Sequence, residues 1–299
     1  MAWRSVVITN PARLKFKNRA LLVEQDGDSV SVPLEDIAVL VIDCPQVTIT
    51  SQLLSACANQ QIAVITVDET HSPNGVMLSF LPHSRALRVM RRQLAMTAPH
   101  RKRLWQSLVR QKLLNQARVL ELNDQENVAA KLQTLASRVR SGDPDNYEAQ
   151  GAQLYFPALF GPGFTRDQED FINAALNYGY SIIRSALART LVGYGFIPAF
   201  GLHHRSEQNS FNLADDLIEP YRPLVDNLVS DFVGNSLLDR AAKAKLVSLL
   251  HQDTPRLDNA TISGQSTLLA LIDATVISLG QCIEDGEATL TLPGLPSNP

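Results

Sequence analysis

The sequence predicts an α+β fold, with a small N-terminal β-domain followed by a larger all-α domain. Two observations predict it. Up to about residue 82 the apolar runs are short and β-branched, and Gly, Asp, Asn and Pro turn signals separate them. After Pro82 the apolar residues recur at helical spacing over long stretches. At 299 residues the chain is long enough for two domains. Their bounds read as 1–82 and 83–292, with a disordered tail, P-G-L-P-S-N-P, over 293–299.

The elements follow in order. Segments 5–8, 20–24, 29–32, 38–42 and 63–67 read as strands, and 50–60 as a short helix among them. Segments 84–98, 100–122, 124–140, 146–160, 166–194, 212–233, 236–252 and 264–284 read as helices. The longest opens on a capping box of Thr165 and Gln168. It carries an apolar stripe from Phe171 to Leu191 and closes at Gly193 and Gly195.

Composition excludes several classes. No apolar run approaches 18 residues, so no transmembrane helix is expected. The start M-A-W-R-S-V-V-I-T-N lacks the apolar region of a signal peptide. Cys44, Cys57 and Cys282 have no C-x-x-C spacing and read as reduced thiols, which suits a cytoplasmic protein. No G-x-x-x-x-G-K-[ST] pattern is present to support ATP-driven chemistry.

The net charge of −3 conceals a segregation. From Thr70 to Leu120 there is no Asp or Glu, but there are ten Lys or Arg. A solvated helical face normally mixes signs, so this pattern suits a polyanion such as a nucleic acid. Arg85, Arg88, Arg91, Arg92, Arg101, Lys102 and Arg103 are the candidate phosphate contacts. Arg85, Arg88 and Arg92 share one helical face, and Leu87, Met90 and Leu94 on the opposite face are expected to pack inward. The competing reading pairs these cations with water or with acids of another domain.

The stretch H-H-R-S-E-Q-N-S-F-N-L-A-D-D-L-I-E-P-Y-R-P, from His203 to Pro223, holds the strongest chemical signal. Asp215, Asp216 and Glu219 can share one helical face beside a histidine pair. Crowded carboxylates repel unless a cation neutralises them, and a hard divalent ion with one imidazole would do so. Pro220 should bend the helix beside Glu219 and so aim its carboxylate.

The segment D-F-I-N-A-A-L-N-Y-G-Y-S-I-I-R-S-A-L-A-R-T-L-V-G-Y-G-F-I-P-A-F-G-L-H-H, Asp170 to His204, resembles the integrase subunit of CRISPR spacer acquisition. That is the family numbered first among the CRISPR-associated proteins. Asn173, Tyr178-Gly179-Tyr180, Gly195, Pro198, Gly201 and His204 carry the likeness. The following F-N-L-A-D-D-L-I-E-P-Y-R-P and the N-terminal P-L-E-D-I-A-V-L-V-I-D-C-P-Q-V-T-I-T are also similar to it, most closely to the type II branch. The resemblance implies a homodimer joined through the β-domain. It also implies a metal-dependent DNA endonuclease and integrase activity, in which the 3′-hydroxyl of a short DNA attacks a phosphodiester at the edge of a CRISPR repeat.

Further implied are Mg²⁺ or Mn²⁺ held by Glu148, His204 and Glu219, with Asp216 as an auxiliary acid. The implied partners are double-stranded DNA, a small subunit of the acquisition complex and the RNA-guided nuclease of the same locus. His203 is the alternative imidazole. On the residues alone, Asp145-Asn146-Tyr147-Glu148 fits a capping box in which Glu148 would only cap backbone N–H groups. A nuclease for branched DNA and a non-catalytic DNA-binding scaffold are the alternative functions.

Overall fold

A computed structural model describes residues 4–69, 73–80, 86–232 and 237–295. The N-terminal part contains β1 (Arg4–Ile8), β2 (Arg13–Lys17), β3 (Ala20–Gln25), β4 (Asp28–Pro33), β5 (Ile37–Ile42), β6 (Thr48–Ile49), α1 (Ser51–Asn59), β7 (Ala63–Val67) and β8 (Pro73–Met77). They form two four-stranded sheets, ordered β1-β5-β7-β8 and β4-β3-β2-β6. Strands β1, β5 and β7 run parallel, and β8 is antiparallel to β7. Asp26-Gly27, with φ of 51° and 90°, supplies the mirror-image turn that a β3–β4 hairpin needs. Strand β2, R-L-K-F-K, escapes sequence reading because its alternating charges resemble a loop.

Strand β5, I-A-V-L-V-I, fixes how the two parts meet. A continuous apolar run marks a strand buried on both faces. Ile37 and Leu40 join Leu14, Leu21, Leu53 and Ile62 in a small core within the β-domain. Val39 and Val41 turn the other way and join the helical core with Ile65. The first sheet is therefore a wall shared by two cores.

The remainder contains α2 (Ala86–Ala95), α3 (Ala98–Leu122), α4 (Glu126–Arg138), α5 (Tyr147–Phe160), α6 (Phe171–Gly193), α7 (Asn212–Leu217), α8 (Arg222–Ser230), α9 (Arg240–Ser248), β9 (Asp253–Asp258), β10 (Thr261–Thr267), α10 (Leu268–Asp285) and β11 (Thr291–Pro293). Helices α3 and α6 run through its middle. Gly179 on α6 allows close approach, since a Cβ there would lie 2.5 Å from Val225 Cγ1 and 3.1 Å from Leu246 Cδ2.

The all-α expectation is corrected by the sheet β10-β9-β11. Asn259 and Ala260 take positive φ and turn the chain between β9 and β10. The helix expected over 264–284 starts instead at Leu268, where Thr267 Oγ1 accepts from Ala270 N at 3.3 Å. Pro293, placed in the tail by the sequence, ends β11 opposite Arg256, and Gly294 N donates to Pro255 O at 2.8 Å. Residues 296–299 lie outside the described residues, as do Arg85 and the 82/83 boundary. Helix α6 begins at Phe171, capped by Asp170 accepting from Asn173 N at 2.7 Å, so the Thr165–Gln168 box does not start it. Cys44, Cys57 and Cys282 are free and buried. Among the described residues no helix is long and apolar enough to cross a membrane.

A buried ion pair joins the two parts. Lys243 Nζ on α9 meets Asp43 Oδ2, just past β5, at 2.8 Å, with both residues almost inaccessible. Removing one partner of such a pair strands the other charge away from water. Asp43→Ala should cost about 3–5 kcal/mol in urea unfolding. Asp43→Leu combined with Lys243→Met should recover most of that, because the pair leaves together.

Candidate active site

Helix α3 supplies the floor of the site. Its buried face reads Leu104, Trp105, Leu108, Lys112, Asn115 and Gln116. Lys112 is only 8 % exposed. Its ammonium lies 2.7 Å from Glu148 Oε1 and 2.5 Å from Glu219 Oε2. Burial works to discharge this ammonium, but Glu219 and Glu148 outweigh it and hold the Lys112 pKa above its ordinary value.

Glu148 stands in the first turn of α5. The capping box expected there does not form. Asp143 accepts from the backbone N–H groups of Tyr147 and Glu148, each at 3.0 Å, while Asp145 pairs with Arg140. The Glu148 side chain is thereby left to face Lys112.

Glu219 opens a 3₁₀ turn, Glu219–Tyr221, that divides the helix expected over 212–233 into α7 and α8. Pro220 has no N–H for the helical ladder, so the chain bends there. Asn115 Nδ2 on α3 grips the bend, donating to Pro220 O at 2.7 Å and to Pro293 O at 3.0 Å. Arg222 Nε covers the other side of Glu219, 2.9 Å from Oε1. Burial pushes the Glu219 carboxyl up, but Arg222 and Lys112 outweigh it and hold it well below the usual range.

The histidine loop is organised around Asp216, which has no exposed surface. Its oxygens accept from the backbone N–H of Leu202 at 2.5 Å, His203 at 3.1 Å and His204 at 3.0 Å. His204 Nδ1 also donates to Asp216 Oδ1 at 2.7 Å. That bond fixes the ring and leaves Nε2 as the nitrogen available for other partners. It raises the His204 pKa against the opposing pull of burial, and the charges of Asp216, Glu219 and Glu148 add to the rise. Gly201 lets the loop close, since a Cβ there would lie 2.5 Å from His204 O and 2.6 Å from Asp216 Oδ2. Asn212 Nδ2 donates to Ala199 O, Ser206 O and Asn209 O and holds the rest of the loop. His203 stacks on Trp105, with ring centroids 4.3 Å apart, and Trp105 meets His204 edge-on.

Glu148, Glu219 and His204 thus lie within one another's electrostatic reach. Asp215, grouped with Asp216 and Glu219 by the sequence reading, points elsewhere and is held by Arg184 on α6 at 2.5 Å. Sequence reasoning also missed Lys112, which it noted only as one of the ten Lys or Arg of the acid-free segment. Its signal was a lysine four residues after Leu108, on the apolar side of the helix.

The donors suit a divalent cation. Two carboxylates already share one cationic group, and the imidazole beside them has its second nitrogen tied to an acid. Among the described residues no three His, Cys, Asp or Glu side chains gather at metal-ligand spacing, and Lys112 holds the place between the two glutamates.

The basic segment departs from the expected amphipathic arrangement. Arg88 and Arg92 on α2 both meet Glu284 on α10, Arg88 at 3.2 Å. Leu87 and Leu94 are exposed at 62 % and 53 %, and the inward face is built on Gln93. The Gln93 amide donates to Ile197 O and Phe200 O and accepts from Ile197 N. An amide that satisfies three backbone groups outcompetes leucine for that place. Arg91, Lys102 and Arg103 are exposed. Arg103 donates to Gly286 O at 3.0 Å, and Arg101 is partly tied down by Met96 O at 2.7 Å.

This two-sheet unit braced on a helical core, with two glutamates clasped beside an anchored histidine, stands in a chain whose relatives are CRISPR-associated endonucleases. The chain belongs to the family described as CRISPR associated protein Cas1, which matches residues 6–254. It is 46% identical over 297 residues to a CRISPR-associated endonuclease Cas1 of Neisseria meningitidis, covering 98% of this chain and 96% of that one. A second such endonuclease, from Pyrobaculum aerophilum, is 29% identical over 78% of this chain and 85% of its own. The fold is shared with a casposase bound to integration product, at TM-score 0.76 and 16% identity, over 96% of this chain and 92% of that one. It is also shared with a Cas1 protein from Thermotoga maritima, at TM-score 0.73 and 15% identity, over 99% and 100%.

Behind Glu219 the Arg222 guanidinium stacks over Tyr180 at 4.6 Å, and the Tyr180 hydroxyl donates to buried Asp226. Burial pushes Asp226 up to about 6, while Tyr180, Arg222 and Arg166 pull the other way. A carboxyl raised by folding stabilises the fold most in its protonated form. Its contribution is present below the unfolded value of 3.8 and is lost as pH rises through about 6. Asp226→Asn should therefore gain on the parent protein by up to about 3 kcal/mol in denaturant melts taken from pH 4 to pH 7. A constant difference across that range would count against a raised Asp226.

Proposed function

We propose that the chain is an integrase of CRISPR adaptation. It joins the 3′-hydroxyl ends of short duplex DNA to the ends of a CRISPR repeat by metal-dependent transesterification. The observation that carries this reading is a buried glutamate and a half-buried one, Glu219 and Glu148, sharing one cationic group beside a histidine oriented by Asp216. In such a step one phosphodiester bond forms as another breaks, so no nucleotide hydrolysis is required.

Glu148, Glu219 and His204 Nε2 would hold Mg²⁺ or Mn²⁺, and the imidazole makes Mn²⁺ the better-suited ion. When bound, the ion supplies Lewis-acid stabilisation of the phosphate oxygen and a lowered pKa for the incoming hydroxyl. The chain supplies the orientation. Asp216 fixes the His204 ring, Asp143 fixes the start of α5, and Asn115 fixes the bend that presents Glu219. His203, stacked on Trp105, serves as wall rather than ligand.

Arg91, Arg101, Lys102 and Arg103 would hold the DNA backbone without reading sequence. Arg88 and Arg92 would join them by exchanging Glu284 for phosphate. The β-domain would pair two copies of the chain, and a small partner subunit would bridge the dimers. Two solved structures of similar fold are Cas6-RT-Cas1–Cas2 complexes, which supports such a partner. The Neisseria relative supports the type II branch, whose RNA-guided nuclease would be a further partner.

The test incubates the chain with partner subunit, Mn²⁺, short duplex DNA and a repeat-bearing plasmid. Joined product at the repeat ends is expected, whereas cleavage of branched DNA without joining would assign the site to a nuclease. Glu148→Ala, His204→Ala and Glu219→Ala should each lower joining by about 100-fold or more and leave DNA affinity within about twofold. His203→Ala should cost about tenfold or less, since it removes packing on Trp105.

Salt titration of DNA binding checks the basic surface. Replacing Arg91, Lys102 and Arg103 with Gln should flatten the slope of log affinity against log salt by roughly two to three units. Glu284→Gln should tighten binding to any sequence, because it frees Arg88 and Arg92.

A further inference from the structure

Lys112 sits where a cation is needed, and the structure shows what keeps it there. Leu108, Val109 and Leu113 around it on α3 have no exposed surface. The ammonium reaches from this apolar ground to Glu148 Oε1 at 2.7 Å and to Glu219 Oε2 at 2.5 Å. The second oxygen of Glu219 is taken by Arg222 Nε at 2.9 Å. Both Glu219 oxygens are therefore covered, one by each cation. A buried ammonium needs paired acids to remain charged, and paired buried acids need a cation to remain together. Each side of this cluster thus depends on the other.

A divalent ion held by Glu148 and Glu219 would use the same carboxylate oxygens. An ammonium and a divalent ion on shared oxygens in a buried place repel strongly, because little water screens them. Arg222 lies on the far oxygen of Glu219 and is held also by stacking on Tyr180 at 4.6 Å. Lys112 has a flexible four-carbon stem and can swing, whereas the stacked guanidinium is fixed.

We propose that Lys112 is the resident cation of this site, holding Glu148 and Glu219 together in the metal-free protein and leaving their oxygens when a divalent ion enters. Lys112 is a positioning residue in this scheme. It preserves the spacing of the two glutamates and sets how tightly the ion binds, since the ion must displace it. Arg222 stays and keeps Glu219 charged in both states. The inference rests on the metal-dependent reading of the site given above.

The experiment titrates MnCl₂ into the metal-free protein by calorimetry, alongside Lys112→Gln and Lys112→Arg. Lys112→Gln should bind Mn²⁺ at least tenfold more tightly than the parent, and Lys112→Arg, which keeps the charge, should not. Without metal the Gln variant should melt lower than the parent, and Mn²⁺ should raise its melting temperature by more. Should the Gln variant not fold without metal, the parent protein decides the matter. Acetic anhydride labelling of Lys112, read by mass spectrometry, should rise at least threefold when Mn²⁺ saturates the site.

Equal or weaker Mn²⁺ binding by Lys112→Gln overturns the exchange and leaves the metal site standing. Unchanged labelling of Lys112 in the parent does the same. No saturable Mn²⁺ binding by either protein overturns the metal reading, and the exchange with it.

Discussion

Two carboxylates placed side by side, one buried and one half-buried, constrain the rest of the helical part. Glu148 and Glu219 come from separate elements, α5 and the 3₁₀ turn after α7, and they meet only because Lys112 and Arg222 neutralise them. Buried charge of one sign is expensive, so each acid must be delivered to its cation with little slack. Asp143 sets the first turn of α5, Pro220 and Asn115 set the bend at Glu219, and Tyr180 seats Arg222. These supports have little in common except that each fixes one charge of the cluster.

The loop from Ala199 to Phe211 follows a different logic. It has little apolar residue to bury and is held by polar convergence instead. Asp216 gathers three consecutive backbone N–H groups and one imidazole, and Asn212 gathers three carbonyls. A buried carboxylate with four donors is well satisfied, and such networks specify one conformation because any other leaves donors unpaired. Gly201 is the steric condition for this arrangement. The histidine that such a loop presents is oriented before any ligand arrives.

Much of this was legible from the residues. The short strand runs and the long helices are periodicity signals, and they survive folding because burial enforces them. The bend at Pro220 followed from a missing N–H. What could not be read depended on partners distant in sequence. Leu87 and Leu94 look like a packing face by period, yet Gln93 satisfies the backbone near Ile197 and takes the inward place. Asp143 capped α5 although Asp145 had the better spacing. The sheet of β9, β10 and β11 was hidden because T-P-R-L-D and T-I-S-G-Q-S-T carry weak patterns. Lys112 passed as one more cation of the acid-free segment, since a charge on an apolar face is legible only once its two acids are placed.

The grip of Asn115 on Pro220 and Pro293 also bears on how the chain is made. Those acceptors lie 105 and 178 residues after Asn115. At translation rates of roughly 5–20 residues per second, the later one reaches the ribosome on the order of ten seconds or more after α3 is complete. During that interval α3 can form with its basic residues already displayed, while the bend that presents Glu219 is held from one side only. A nascent chain thus carries a finished α3 well before Asn115 meets the second of its two acceptors, so the seat of Glu219 is completed late in synthesis.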